Sequence, residues 1–319
     1  MKKTAKTKRI KRAIIPVAGF GTRMYPITRA IKKSFIPIPD GNTMKPILLK
    51  LVEDLDEIGI EEIALVVGPQ EKSEYEEFFN KTLADDHLDK LSLEMRDYDS
   101  NILRLGKKIT YIVQEERLGF GHAIHLCKDF AQNEAVLVVL GDTYFTTKSD
   151  KSCVEQIVDY YDETKGIVIG MCEATDDEIE NIAVMSGSWD DSEKTKLSVN
   201  KMVEKPTIEY AKKELQMEGK CYGNFGMWII NNDVFKQIEF NIENNIMSQG
   251  EYQFVDAIAD IMDKVPVKAL KINGQSHDVG NIRCYQKTLL TELIKATNFE
   301  FTSENNEETQ PNDTDWNVN

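Results

Sequence analysis

Ala18-Gly19-Phe20-Gly21-Thr22 runs directly into Arg23, and Lys33 follows ten residues later. Glycine has no Cβ, so a loop of this kind brings successive backbone N–H groups close to a phosphate and lets them form an anion-binding nest. Arg and Lys add charge-assisted bonds that strengthen as negative charge builds on phosphorus. These residue types suit the handling of a triphosphate. Two common phosphate loops are excluded by spacing: a dinucleotide fingerprint needs a third glycine where Met24 stands, and a P-loop needs Lys-Ser or Lys-Thr after its last glycine.

Two acids complete the candidate chemistry. Asp142, in Leu140-Gly141-Asp142-Thr143, follows an apolar run and so falls at the carboxyl end of a strand, where open α/β sheets place their ligands. Asp278 lies in Gly274-Gln275-Ser276-His277-Asp278-Val279-Gly280-Asn281. Either aspartate alone also reads as a turn residue or helix cap, and Glu204-Lys205-Pro206 by itself reads as an exposed turn. His122 and His125 are three apart on a predicted helix, a spacing that permits metal binding. No third ligand accompanies them, so they are read as structural.

The elements that must position these residues alternate between strand-length apolar runs and longer helical patterns. A run at 13–18 is followed by a helix-period stretch at 46–58 and a strand at 62–67, and the pattern repeats at 109–113, 122–130 and 135–140. This is the βαβ signature of a parallel sheet with helices on both faces. Pro46 suits a first helical turn and Gly59 the position after the helix. Residues 71–108 are polar and charged and predict a helix followed by an irregular excursion, a lid or an oligomer contact. Beyond Asp142 come a helix at 152–161, a strand at 166–172, shorter strands at 182–186, 197–203 and 222–230, and a closing helix at 282–297. The expected fold class is therefore α/β, with a Rossmann-like mixed, mainly parallel sheet and a small β-rich sub-lobe. With neither an internal repeat nor a flexible linker, 13–299 reads as one domain.

Composition narrows the function. The 319 residues carry a formal net charge of -15, which disfavours nucleic acid and anionic membranes as partners and leaves phosphate binding to local cations, backbone N–H groups and metal. Residues 1–12 hold seven basic side chains and read as a solvated tail, whereas 300–319 hold six acids and no Lys or Arg and are expected to stay disordered. The five cysteines are scattered and form no C-x-x-C pair, so reduced structural thiols are expected. No apolar run is long enough for a bilayer and no apolar segment follows the basic N-terminus, which points to a cytoplasmic protein.

These parts, in this order over residues 10–298, resemble the sugar-phosphate nucleotidyltransferases, and within them the bacterial members that use UTP and glucose 1-phosphate. Gly19 to Met24 matches the family's glycine-rich signature, and Lys33 with Pro37 matches its second. The resemblance implies nucleotide binding by Ala18, Gly19, Gly21 and Thr22, with Arg23 and Lys33 stabilising the triphosphate and the transition state. It makes Gln114 a reader of uracil, helped by Gly119 or Gly121 from Leu118-Gly119-Phe120-Gly121-His122-Ala123. A Gln amide offers the donor and acceptor this needs. Asp142 and Asp278 are expected to hold Mg²⁺, whose hard charge suits carboxylate and phosphate oxygens. Glu204 and Lys205 are expected at the sugar and its phosphate, with Asn224 and Gly226 lining the sugar pocket, and a homo-oligomer is implied.

Three departures bear on specificity. Ser34 stands where the uridylyl-transferring members usually carry Glu, Asn181-Ile182 replaces a Tyr-Gly pair, and Gln275 replaces a Lys. They leave open the same chemistry with another nucleotide or sugar phosphate. A non-catalytic nucleotide-sugar-binding regulator is a further reading, opposed by the presence of Arg23, Lys33, Asp142, Lys205 and Asp278 together.

Overall fold

A computed structural model describes residues 10–41 and 43–297. The basic segment before Ile10 and the acidic segment 300–319 lie outside the described residues. Lys11 and Arg12, grouped by composition with the basic tail, belong to the fold: Ile10 is buried, Lys11 pairs with Glu61, and Arg12 pairs with Glu62 and Glu134.

The chain begins with β1 (Arg12–Pro16), whose Ala13, Ile14 and Ile15 are fully buried. A hairpin of β2 (Pro37–Asp40) and β3 (Thr43–Pro46) then leads into α1 (Ile47–Glu57) and β4 (Glu62–Val67). Pro46 ends β3 in extended conformation as the residue before the helix, and Gly59 takes φ +90° in the turn after it. The polar stretch from 71 holds α2 (Lys72–Asn80), α3 (Asp85–Leu88) and α4 (Leu93–Gly106) before β5 (Ile109–Val113). It is helical rather than irregular, because Tyr75, Phe79 and Leu105 carry enough apolar surface to bury it against the core.

Next come α5 (Phe120–His125), α6 (Lys128–Ala131), β6 (Val136–Val139), β7 (Thr143–Thr146), α7 (Cys153–Thr164) and β8 (Ile167–Ala174). The second half holds α8 (Asp176–Ile179), β9 (Ala183–Trp189), β10 (Lys196–Glu204), α9 (Ile208–Glu214) and β11 (Cys221–Ile230). It closes with α10 (Asn232–Glu243), α11 (Phe254–Ala259), β12 (Val267–Lys271), β13 (Gln275–Asp278) and α12 (Ile282–Thr297).

Nine strands form one sheet in the order β5-β4-β1-β6-β11-β8-β12-β10-β9. The β5-β4-β1-β6 half is parallel, as expected. The other half is mixed, with only β8 and β12 parallel, so antiparallel pairings outnumber parallel ones and the sheet is not mainly parallel. The apolar runs of this half gave no sign of direction, because strands buried on both faces look alike in either orientation. Nor is the β-rich part a separate lobe. β9 and β10 continue the central sheet, and only a small apolar cluster around Ile179, Val184, Ala211, Leu215 and Cys221 is its own.

The two faces of the sheet are sorted by the two-residue period of a strand. Ala13, Ile15, Leu65, Leu137 and Met227 face a core shared with α1, α2, α4 and α7, whereas Ile14, Ala64, Val138 and Trp228 face one shared with α5, α10 and α11. All five cysteines are free thiols, three of them buried. No helix among the described residues is long and apolar enough to cross a membrane.

Candidate functional site

A cleft of about 430 Å³ opens at the carboxyl ends of β1 and β6. It is lined by Pro16 to Thr22, Lys33, Ser34, Gly141 and Asp142, together with Gln114, Arg117, Gly119 and Glu251. That volume lies within the usual range for a small-molecule site. Gly21 has φ +66°, and a Cβ there would come within 2.8 Å of Thr28, so the turn into the Thr22–Met24 3₁₀ segment needs glycine. Gly19 is exposed, with free space around its Cα.

The charged centre is assembled from distant parts of the chain. β7 pairs with β13 so that Thr143 faces Asp278, which sets the carboxylates of Asp142 and Asp278 near each other. Val279 N–H donates to the Asp142 carbonyl at 3.1 Å and locks the ribbon. Lys33 Nζ is ion-paired with Asp142, and Arg23 Nη1 donates to Asp278 Oδ2 at 3.1 Å. Burial, then the neighbouring Asp142, pushes the Asp278 carboxyl up, against the pull of Arg23 and Lys33. Gly280 packs on this pair: a Cβ would overlap Lys33 Cε and Nζ, so any larger residue displaces the end of that side chain.

In the same cleft Gln114 is buried, and its Nε2 donates to the Gly119 carbonyl and to His122 Nδ1, both at 3.2 Å. Gly119 (φ +108°) and Gly121 pack tightly on the segment before α11: a Cβ on Gly119 would meet Glu251 Cβ at 2.7 Å, and one on Gly121 the Tyr252 carbonyl at 2.6 Å. Gly121 N–H is taken by the Tyr252 carbonyl at 2.8 Å, and Gly121 does not line the cleft, so its place is in packing. His125 is partly buried, which lowers its imidazole pKa, and its Nδ1 has no hydrogen-bond partner among the described residues. No cluster of three metal-ligating side chains occurs among the described residues.

The residues expected at the sugar do not line this cleft. Gly226 (φ +92°) sits where β11 changes partners; its carbonyl accepts from Leu140 N–H at 3.0 Å, and its N–H donates to Asn224 Oδ1 at 3.1 Å. Lys205 N–H donates to the Ile182 carbonyl at 3.1 Å, and the Lys205 ammonium stands 3.7 Å from Glu204. Burial pushes the Glu204 carboxyl up, with Asp256 and the cleft residue Glu251 adding to the effect against Lys205. Each departure also has a structural place. Ser34 is buried and hydrogen-bonded to Tyr75 OH at 2.9 Å, Ile182 fills the space above Gly223, and Gln275 is exposed at the start of β13.

Two residues escaped the motif reading. Arg117 Nε donates to the Ala18 carbonyl at 2.6 Å, and its guanidinium stacks 3.9 Å from the ring of the exposed Phe20, tying it to the glycine loop. Glu251 lines the cleft. An Arg two residues before a glycine motif and a Glu ahead of a helix are too common to stand out, and only the fold brings them to the site.

Glycine loop, paired carboxylates and opposed cations at the carboxyl ends of a mixed sheet define a nucleotidyl-transfer scaffold, and residues 12–293 match the nucleotidyl transferase family, to which the chain belongs. Among its relatives is the UTP–glucose-1-phosphate uridylyltransferase of Staphylococcus epidermidis, 32% identical over 292 residues that span 90% of this chain and 94% of that protein. The Bacillus subtilis UTP–glucose-1-phosphate uridylyltransferase YngB is 29% identical over 306 residues, 90% of this chain and 91% of that one. An apo UDP-glucose pyrophosphorylase structure matches with a TM-score of 0.76 and 26% identity, covering 90% of this chain and 99% of the other. A complex with UDP-glucose, at a TM-score of 0.74 and 24% identity over the same shares of the two chains, shares the fold.

Proposed function

We propose that this chain transfers a uridylyl group from UTP to glucose 1-phosphate, releasing pyrophosphate and UDP-glucose. The observation that carries the proposal is the charged centre beside the glycine loop, where Lys33 and Arg23 stand against Asp142 and Asp278. The names of the relatives support the choice of substrates. A phosphate oxygen of the sugar phosphate attacks the α-phosphorus of UTP in line, a new P–O bond forms, and the bond to the β-phosphate oxygen breaks. No covalent enzyme intermediate is needed, so the protein's part is to position reactants and stabilise charge. The loop N–H groups hold the triphosphate, and Lys33 and Arg23 leave their carboxylate partners to screen the charge that grows on the phosphoryl oxygens.

Asp142 and Asp278 fit Mg²⁺. They are two oxygen donors whose mutual repulsion a cation relieves, and Mg²⁺ commonly takes one or two carboxylates and fills its shell with substrate phosphates and water. When bound, the ion supplies positive charge to the displaced pyrophosphate. On the sugar side, Glu204 accepts from sugar hydroxyls and Lys205 holds the sugar phosphate. A second reading, the same transfer with another nucleotide or sugar phosphate, is favoured by Ile182, which narrows the space above Gly223.

The test is pyrophosphate release from a panel of nucleoside triphosphates crossed with sugar 1-phosphates, with Mg²⁺ and with chelator. Fast release confined to UTP, glucose 1-phosphate and Mg²⁺ is expected, and another preferred pair moves the specificity to the second reading. No release with any pair overturns both, and full turnover by Asp278→Ala overturns its place at the metal.

A further inference from the structure

The Gln114 side chain has only one direction available to it. Its Nε2 carries two hydrogens, one given to the Gly119 carbonyl and one to His122 Nδ1, both at 3.2 Å. A backbone carbonyl only accepts, so it fixes which end of the amide faces it, and His122 must then accept through Nδ1 and carry its own proton on Nε2. A turned amide would set Oε1 against the lone pairs of the Gly119 carbonyl, whichever tautomer His122 took. With both hydrogens committed, what Gln114 offers the cleft is Oε1, to which no donor is directed among the described residues.

We propose that His122, which does not line the cleft, is a positioning residue that sets base specificity by locking the Gln114 amide with its acceptor outward. The inference rests on Gln114 facing the base. An outward acceptor pairs with the N3–H of a uracil-type ring and opposes cytosine, whose N3 is a lone pair. Discrimination of this kind is strong because the wrong base leaves a buried polar group unpaired. Gly119, held at φ +108° against Glu251 and Tyr252, supplies the second anchor, so the lock is built into the packing of α5 on the segment before α11.

The experiment compares kcat/KM for UTP and CTP in full-length protein. His122→Leu has no acceptor and leaves the amide held by the Gly119 carbonyl alone. Because that carbonyl still holds one amide hydrogen, the variant weakens the lock without abolishing it, and it is expected to lower the UTP:CTP ratio about 5- to 10-fold, the worth of one hydrogen bond, mainly through a higher KM for UTP. His122→Asn places Oδ1 where Nδ1 was and restores the ratio. His122→Gln reaches past that point and does not. In the wild-type protein, nitrogen NMR of the His122 ring is expected to show the Nε2–H tautomer, a readout that needs no variant to fold. An Nδ1–H tautomer overturns the lock. So does an unchanged ratio in His122→Leu while Gln114→Leu abolishes discrimination. If Gln114→Leu also keeps the wild-type ratio, the base-reading assignment itself falls, and the lock with it.

Discussion

Lys33 shows how one residue is tuned by neighbours from three parts of the chain. Its ammonium pairs with Asp142 after β6, its aliphatic end lies against Gly280 after β13, and it stands near Asp278, itself bonded to Arg23. The pair is partly exposed, with side-chain accessibilities of 16% and 25%, so its worth to stability is modest, whereas its place facing the phosphate loop makes its charge valuable in the transition state. Lys33→Ala is therefore expected to lower kcat by about 10²–10³-fold, as loss of an electrostatic stabiliser does, while a thermal melt shifts by only a few degrees. Gly280→Ala touches no substrate but pushes a methyl group into the Lys33 end. It is expected to lower kcat as well, and the same pyrophosphate assay checks both.

At the scale of elements, the packing of α4 on α1 decides what the polar 71–108 stretch becomes. Arg104 donates to both oxygens of Asp56, at 3.1 and 2.6 Å, Lys108 stands 2.6 Å from the same carboxylate, and Tyr98 donates to Glu53 at 2.7 Å. The hydrogen bonds from Arg104, followed by those from Lys108, hold the Asp56 carboxyl down at about 2. A carboxyl whose folded-state pKa is depressed contributes stability that is fully present above its unfolded value near 3.9 and is lost as pH falls toward 2. Arg104 is half exposed, so the contribution is about 1 kcal/mol after solvent screening. Asp56→Asn is expected to be less stable than wild type by that amount at pH 7, and the two denaturation midpoints are expected to converge as the pH is lowered from 4 to 2.

For the whole molecule, the long strand β11 joins the halves, pairing with β6, β8 and β9 in turn. Trp228 on this strand is almost fully buried, edge-on to Phe254 and Phe120, and its indole N–H has no hydrogen-bond partner among the described residues. Trp228→Ala is expected to cost about 3–5 kcal/mol through the cavity it leaves. Trp228→Phe is expected to cost under about 2, because the lost volume includes a donor whose burial was already unfavourable. Urea unfolding followed by circular dichroism measures both, and because Phe120 and Phe254 flank the Gly119 turn, the alanine variant is also expected to raise KM for UTP.

Local chemistry was legible in the sequence because it depends on local geometry. The strand at 62–67 and the helix at 282–297 were set by periodicity, and the glycine loop by the need for φ above zero at Gly21 and for backbone exposed to a phosphate at Gly19. Arg23, Lys33 and Asp142 stand out in the sequence because their types and order suit phosphate chemistry. Strand direction in the second half was not legible, since fully buried strands read alike in either sense. The helices after α2 within 71–108 were hidden because few apolar residues mark them, and what fixes α4, the burial of Leu105 and the pairing of Arg104 with Asp56, is tertiary and invisible to periodicity. The approach of Asp278 to Asp142, the stacking of Arg117 on Phe20 and the grip of His122 on Gln114 were decided by tertiary structure alone. Residues far apart in the chain meet only where the sheet and its hairpins bring them together, and no local pattern encodes that meeting.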